Sequence, residues 1–460
     1  MSQASGLHKL RESLRGSIVT PQDGGYDDAR SLYNAMIDKR PAVIARCADV
    51  ADVIAAVNFG RDSGLLVAVR GGGHNGAGLG SCDGGLVIDL GSMKGIRVDP
   101  DRRTIRVGAG CTQGDVDHAA HAFGLAVPAG IVSTTGVAGL TLGGGHGYLS
   151  RKCGLTIDNL VEADVVLADG SYVTASNDSN VDLFWALRGG GGNFGIVTSF
   201  LFNAHPVSTI YGGVIFWDAA QARQIMQWYR EFLPSAPEEL CCFLGLKAVP
   251  STEPFPRDIW GRRICALISC YNGPVKTGER IMAPVRKAFP DIMLDVMGPM
   301  PFPALQAMFD PLLPKGLQWY WKGDFVRELS DQAIDLHIAH AEQAPPGLSL
   351  MHLYPIDGAV HRVAPADTAW NYRDVTWSMV IAGIDPDPQM APRLMEWGRN
   401  YWQALHPFSA GGGYVNFIMN DEDQSRVQAS YGKNFERLAT IKKKYDPQNL
   451  FRVNHNIRPA

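Results

Sequence analysis

Short apolar runs separated by glycine turns dominate the first half of the chain. Residues 65–69, 86–90, 104–107, 161–167 and 196–202 each read as a strand. Residues 50–63, 113–122 and 181–186 carry apolar positions at helical spacing instead. Glycines crowd between Gly71 and Gly195, so residues 1–207 predict an α+β unit whose turns face something large and bound. Beyond Pro206 the texture changes. Strand-like residues 211–216, 264–271, 348–354 and 376–382 alternate with amphipathic helices at 219–232, 276–288, 331–341 and 388–403. That pattern predicts a sheet covered by helices on one face. Trp319, Tyr320, Trp321, Trp370, Tyr372 and Trp377 thicken this region, either as core packing or as an aromatic wall for a ring-bearing substrate. The tail, 425–460, reads as a helix followed by an extended segment from Tyr445 to Pro459.

Composition narrows the partners. The chain has 460 residues, enough for two or three domains, and an ordinary 46% of them are apolar. Net charge is −4, from 42 basic and 46 acidic residues interspersed along the chain, which argues against a nucleic-acid or membrane surface. The one basic run, Lys442-Lys443-Lys444, reads as the solvated face of a helix. Eight cysteines form no C-x-x-C pair and no zinc-like spacing with histidine, so no metal is expected and they read as buried thiols of a reducing compartment. Residues 1–20 lack an apolar signal core, and no run of eighteen apolar residues occurs. A cytoplasmic enzyme acting on small molecules is the expectation, as a monomer or homodimer.

Four glycine turns carry the candidate chemistry: 70–75, 130–139, 143–148 and 188–195. Such turns let a backbone approach a phosphate and aim its N–H groups at it. No G-x-x-x-x-G-K-[ST] is present, and Gly108-Ala109-Gly110 does not continue as G-x-G-x-x-G, which excludes a nucleoside-triphosphatase loop and a nicotinamide site. G-x-S-x-G is also missing, against a serine hydrolase.

Five segments together resemble the vanillyl-alcohol-oxidase flavoprotein family and, within it, the berberine-bridge-enzyme-like group. They are Arg70-Gly71-Gly72-Gly73-His74-Asn75, Leu86-Val87-Ile88-Asp89-Leu90, the Gly143-Gly144-Gly145-His146-Gly147-Tyr148 turn with residues 151–159, Asp182-Leu183-Phe184-Trp185-Ala186-Leu187-Arg188-Gly189-Gly190, and Tyr445-Asp446-Pro447-Gln448-Asn449-Leu450-Phe451-Arg452 with Asn454 and Asn456. The resemblance runs from about Pro41 to Pro459. It implies a two-subdomain FAD-binding domain of the PCMH type over 1–207 (core 37–207), a substrate domain over 208–412, and a C-terminal segment, 413–460, that rejoins the first. It implies that His74 bonds the flavin 8α-methyl. Aligning the second turn places Val132 where some relatives carry a second, cysteinyl bond, so a single link is expected; Cys153 reads as packing. The cofactor contacts implied are Arg70, Gly71, Gly72, Gly73, Asn75, Gly130, Thr134, Thr135, Gly136, Gly139, Gly144, Gly145, Gly147, Tyr148, Asn159, Val197, Tyr414, Asn416 and Asn454.

The implied activity is an oxidase that takes a hydride from an alcohol, sugar hydroxyl, phenol or secondary-metabolite ring and reduces dioxygen to hydrogen peroxide. An oxygenating or dehydrogenating flavoprotein of the same fold is the alternative; a silent binding protein is a third reading. Tyr414-Val415-Asn416-Phe417 resembles the family's Y-x-N-[YF] strand, but Phe417 stands where several relatives place a catalytic tyrosine. The proton-accepting role therefore falls to Tyr414, Tyr354, His352 or Tyr372, with Arg373 as a cation able to lower a tyrosine pKa. Thr135 aligns with the position that controls the approach of oxygen, and its small side chain favours an oxidase.

Overall fold

Asp49 starts the first long helix, Val50–Asp62, because its carboxylate accepts the Asp52 amide. Asp52 in turn accepts the amides of Arg15, Gly16 and Ala48, each at 2.8 Å, which ties the N-terminal segment to this helix. The computed structural model describes residues 3–460. The helix lies over a four-stranded sheet in the order Ser17–Val19, Val43–Arg46, Leu86–Asp89, Val67–Arg70, with the last three strands parallel. A second, five-stranded sheet is antiparallel throughout: Ile96–Asp99, Thr104–Gly108, Ile196–Asn203, Leu160–Val166, Tyr172–Ser176. One continuous core joins both sheets, and Val415, Ile418, Val427, Tyr431, Leu438 and Phe451 of the C-terminal segment pack into it.

The remaining large sheet has eight antiparallel strands. Its order runs Ile292–Asp295, Thr209–Asp218, Arg263–Tyr271, Leu240–Ala248, Leu350–Pro355, Trp377–Asp385, Gln318–Val326, with Gly298–Pro301 alongside Thr209–Asp218. Side chains alternate between two faces along every strand. Leu240, Cys242, Leu244, Leu246, Met351, Leu353, Met379 and Ile381 point to the helices Ala222–Ser235, Val275–Ala288, Asp331–Glu342 and Ala391–Leu405. Cys241, Phe243, Ile268 and Val380 point the other way, toward the first domain, where Tyr148 and Leu149 meet them. Both faces being covered explains why Leu240–Ala248 escaped the sequence reading: a strand buried on two sides shows no alternation. Gln318–Val326 likewise read only as an aromatic cluster.

Buried ion pairs lock the two domains together. Arg151, 1% exposed, donates to Asp357 at 2.6 Å and to the carbonyls of Leu233 and Leu240. Arg373 grips both carboxylate oxygens of Asp158, at 2.7 and 2.8 Å.

Two expectations are corrected here. The Lys442-Lys443-Lys444 run is not wholly a solvated face. Lys442 is fully buried and donates to Asp446 (2.6 Å) and to the carbonyls of Asn193 and Phe451 (2.7 and 2.9 Å), pinning the C-terminal segment to the first domain. Tyr414-Val415-Asn416-Phe417 is not a strand but a 3₁₀ turn over Val415–Phe417, closed by a 2.8 Å bond from the Phe417 amide to the Tyr414 carbonyl. Lys442→Met leaves the Asp446 carboxylate buried without its cation, so a loss of roughly 3–5 kcal/mol is expected. Urea unfolding of wild type and variant checks this; an unchanged midpoint contradicts it.

Seven of the eight cysteines are buried and all are free thiols. Burial pushes the half-buried Cys153 thiol up to about 11. Among the described residues no helix is long and apolar enough to cross a membrane, and no cluster of three or more His, Cys, Asp or Glu side chains is placed to hold a metal.

Candidate active site

A cavity of about 380 Å³ lies between the glycine turns of the first domain and the free face of the large sheet. The first turn leaves the Val67–Arg70 strand, whose end is fixed by a 2.7 Å bond from Arg70 to Asp89. It then presses on the second turn backbone to backbone. A Cβ added at Gly72 would come within 2.5 Å of the Gly136 amide, and one at Gly136 within 2.4 Å of the Gly72 amide. The third turn carries the same demand: Gly144, at φ +127°, would set a Cβ 2.4 Å from the Trp370 ring.

His74 stands at the rim of the first turn. Its ring stacks on Tyr33 with centroids 3.8 Å apart, and its Nε2 lies 3.0 Å from the Thr134 hydroxyl. Half-buried, the ring opens onto the cavity, and desolvation by the surrounding protein lowers its pKa to about 4. The imidazole is therefore neutral at physiological pH. With Nε2 engaged by Thr134, Nδ1 is the nitrogen left for chemistry.

The opposite wall supplies groups able to hold protons. His352 and Tyr354 share the cavity face of the Leu350–Pro355 strand, with Nδ1 and Oη 3.2 Å apart. The Tyr414 phenol oxygen accepts the Gly145 amide at 3.0 Å and the Asn416 side-chain amide at 2.7 Å. Burial raises Tyr414 to about 12 despite these two donors, and raises Tyr354 as well. The phenols are therefore neutral proton donors at neutral pH.

Between them lies His146, which the sequence reading quoted only as part of a turn. Its ring centroid is 4.5 Å from Tyr414, 5.2 Å from Tyr354 and 5.9 Å from Phe417. It is 5% exposed, lines the cavity, and neither ring nitrogen has a hydrogen-bond partner in the protein. Burial alone lowers it to about 3; His352 is also lowered to about 3, by burial first and by the nearby Lys247 charge second. Two further wall residues carry no motif signal in the sequence: Lys247 and the half-buried His455, whose enclosed Nε2 is also unpartnered. Only the alternation of cavity-facing positions could have flagged Lys247, and its strand had not been recognised.

Of the residues expected to touch cofactor, Arg70, Gly71, Gly72, Gly73, His74, Asn75, Gly130, Thr135, Gly136, Gly139 and Val197 line the cavity. Tyr414, Asn416 and Asn454 join them from the C-terminal segment, and Val132 and Phe417 also face in. Thr134 meets His74 from an adjoining groove. Others stand behind the wall. Gly144, Gly145 and Gly147 shape the third turn, and Tyr148 is buried on Phe243. The Asn159 amide donates to the carbonyls of Cys153 and Leu155. Tyr372 donates to the Ala429 carbonyl at 2.7 Å and packs on Phe325, away from the cavity. Arg373, bound to Asp158 and Thr368, activates no tyrosine there.

The donor set suits a dinucleotide. Glycine backbone lines one end, Arg70 Nη1 is a buried donor without a partner, and among the described residues no aspartate or glutamate lines the cavity. A pyrophosphate there would meet amides and the free Nη1 of Arg70, whose Nη2 is held by Asp89.

Comparison with known proteins agrees. Residues 41–176 match the FAD binding domain family, and residues 413–458 match the family described as berberine and berberine like. The chain is 31% identical to an FAD-linked oxidoreductase of Dictyostelium discoideum over 98% of this chain and 97% of that protein. It is 32% identical to an uncharacterized FAD-linked oxidoreductase of Bacillus subtilis, covering 98% of each. Its fold superposes on 6-hydroxy-D-nicotine oxidase from Arthrobacter nicotinovorans with a TM-score of 0.87 at 25% identity, covering 97% of this chain and 99% of that one. With the turns, the cavity and the returning C-terminal segment in place, the chain belongs to the berberine-bridge-enzyme-like family of FAD-linked oxidoreductases.

Proposed function

We propose that this enzyme is an oxidase with FAD bonded to His74, removing a hydride from the C–H of an alcohol, phenol or related ring substrate. The bound cofactor supplies the hydride acceptor and returns the electron pair to dioxygen, giving hydrogen peroxide. The observation that carries the reading is His146: a buried imidazole with both nitrogens free, set between Tyr354 and Tyr414 on the cavity. In this reading His146 takes the proton of the substrate O–H as the adjacent C–H bond breaks. Tyr354 and His352 orient the same oxygen by hydrogen bonding, and Tyr414 is held in place by Gly145 and Asn416. Trp321 and Phe417, 6.0 Å apart in an edge-to-face contact, form the aromatic floor for a ring. Thr135, short and half-buried, leaves room for dioxygen beside the turn.

The flavin-loaded enzyme, offered a panel of alcohols, sugars and phenols, is expected to consume oxygen and release hydrogen peroxide in equal amounts with at least one of them. Substrate turnover without peroxide would favour a dehydrogenase or an oxygenating enzyme and end the oxidase reading.

A further inference from the structure

Lys247 is a cation without a counterion. It sits on the Leu240–Ala248 strand at a cavity-facing position, in series with Cys241, Phe243 and Gly245. Pairing with the neighbouring strand places Gly245 opposite His352 and Lys247 opposite Leu350. The missing side chain at Gly245 makes room for the His352 ring: a Cβ there would lie 2.8 Å from its Cδ2. Ile264 stands opposite Lys247 on its other neighbouring strand, and Phe216, Pro250, Phe255 and Phe309 line the same cavity. Among the described residues no hydrogen bond or ion pair reaches its ammonium, and no aspartate or glutamate lines the cavity. Lys247 itself is half-buried, with its ammonium open to the cavity, whereas two fully enclosed lysines are paired within the protein. Lys322 is 3% exposed and pairs with Asp421 and Glu422, and the buried Lys442 pairs with Asp446. Burial lowers Lys247 to about 8, so the ammonium still predominates at neutral pH.

An ammonium facing an apolar cavity is costly unless something anionic meets it. Among the described residues the one other Lys or Arg on the wall, Arg70, is bonded to Asp89 at the glycine end. Given that the sheet face receives the substrate, as proposed above, the counterion must arrive with it. We propose that Lys247 selects an aromatic substrate bearing one anionic oxygen group, a carboxylate or an acidic phenol, that pairs with its Nζ while the oxidised end lies at His146. Leu350, opposite Lys247, and Tyr354, beside His146, are four residues apart on one strand, roughly 13 Å of backbone. That span fits a molecule of two or three fused rings better than a small alcohol.

Calorimetric titration of the flavin-loaded enzyme with 2-naphthoate and 2-naphthamide tests this without requiring turnover. Wild type is expected to bind the acid about 30-fold more tightly than the amide, the size of a charge-assisted hydrogen bond. Lys247→Met should remove that preference by weakening the acid alone, and Lys247→Arg should retain most of it. A parallel titration at pH 7 with 2,4-dinitrophenol, an acidic phenol that is an anion where Lys247 still carries its proton, separates phenol from carboxylate recognition. Equal affinity of wild type for acid and amide, no binding of either at millimolar concentration, or full acid affinity in Lys247→Met overturns the proposal. Full acid affinity with slowed flavin reduction in Lys247→Met would recast the amine as a proton acceptor. An enzyme that binds 2-naphthoate through Lys247 yet forms no peroxide leaves this inference standing and defeats the oxidase reading instead.

Discussion

His74→Ala should yield a protein whose flavin washes out on acid precipitation, whereas the wild-type pellet stays yellow and fluorescent. Three features of the site lead there. The ring is neutral because burial lowers its pKa to about 4, so above about pH 5 its lone pair is available. Tyr33 fixes the plane of the ring by stacking at 3.8 Å. Thr134 takes up Nε2, which leaves Nδ1 as the free nucleophile. Deleting the imidazole removes the attaching atom but leaves the glycine cradle and Arg70, so the variant should still bind FAD reversibly and lose it on dialysis. Thr134→Val tests the orientation separately. Losing one hydrogen bond of about 1 kcal/mol should slow flavin attachment roughly five-fold without abolishing it. The readout is flavin fluorescence in the acid pellet, followed over time after adding FAD to apoprotein. A colourless wild-type pellet, or equal pellet fluorescence in His74→Ala, excludes the bond.

The glycine turns were legible in the sequence because their demand is local. Gly72 and Gly136 must lack side chains because a Cβ on either would lie 2.4–2.5 Å from the other's amide, and that constraint is written at those positions alone. Strands with one clear partner face were also legible, to within a residue or two. What could not be read depends on distant contacts. Lys442 looks solvated in its basic run, yet the fold brings the Asn193 carbonyl from 249 residues away to enclose it beside its local partners Asp446 and Phe451. Tyr372 looked as plausible a base as Tyr354, and only the packing of the chain on Phe325 turns it away from the cavity. His146 was hidden by its own motif: in a glycine turn the intervening residue reads as spacing. Its meaning comes from Tyr354 and Tyr414, more than 200 residues away, which surround it without satisfying either nitrogen.

His146→Phe should separate stability from chemistry. Phenylalanine fills nearly the same volume and can keep the ring contacts with Tyr354, Tyr414 and Phe417. It also removes two buried polar atoms without partners, each of which disfavours the folded state by about 1–3 kcal/mol. The variant is therefore expected to melt roughly 2–6 °C higher than wild type. Its flavin reduction, followed anaerobically with any substrate that yields peroxide, should fall about 10²–10⁴-fold, the usual contribution of a positioned base. The pH profile gives an independent sign. An imidazole lowered to about 3 is already in its proton-accepting form at pH 5, so wild-type reduction should show no acidic limb near pH 6.5. A limb there would mean that the working base is a solvated histidine elsewhere. If His146 were only a packing residue, the phenylalanine variant would keep its rate. If it served the fold through a hydrogen bond, the variant would melt lower. A higher melting temperature together with a lost rate is the combination expected of a group kept for catalysis at the expense of stability.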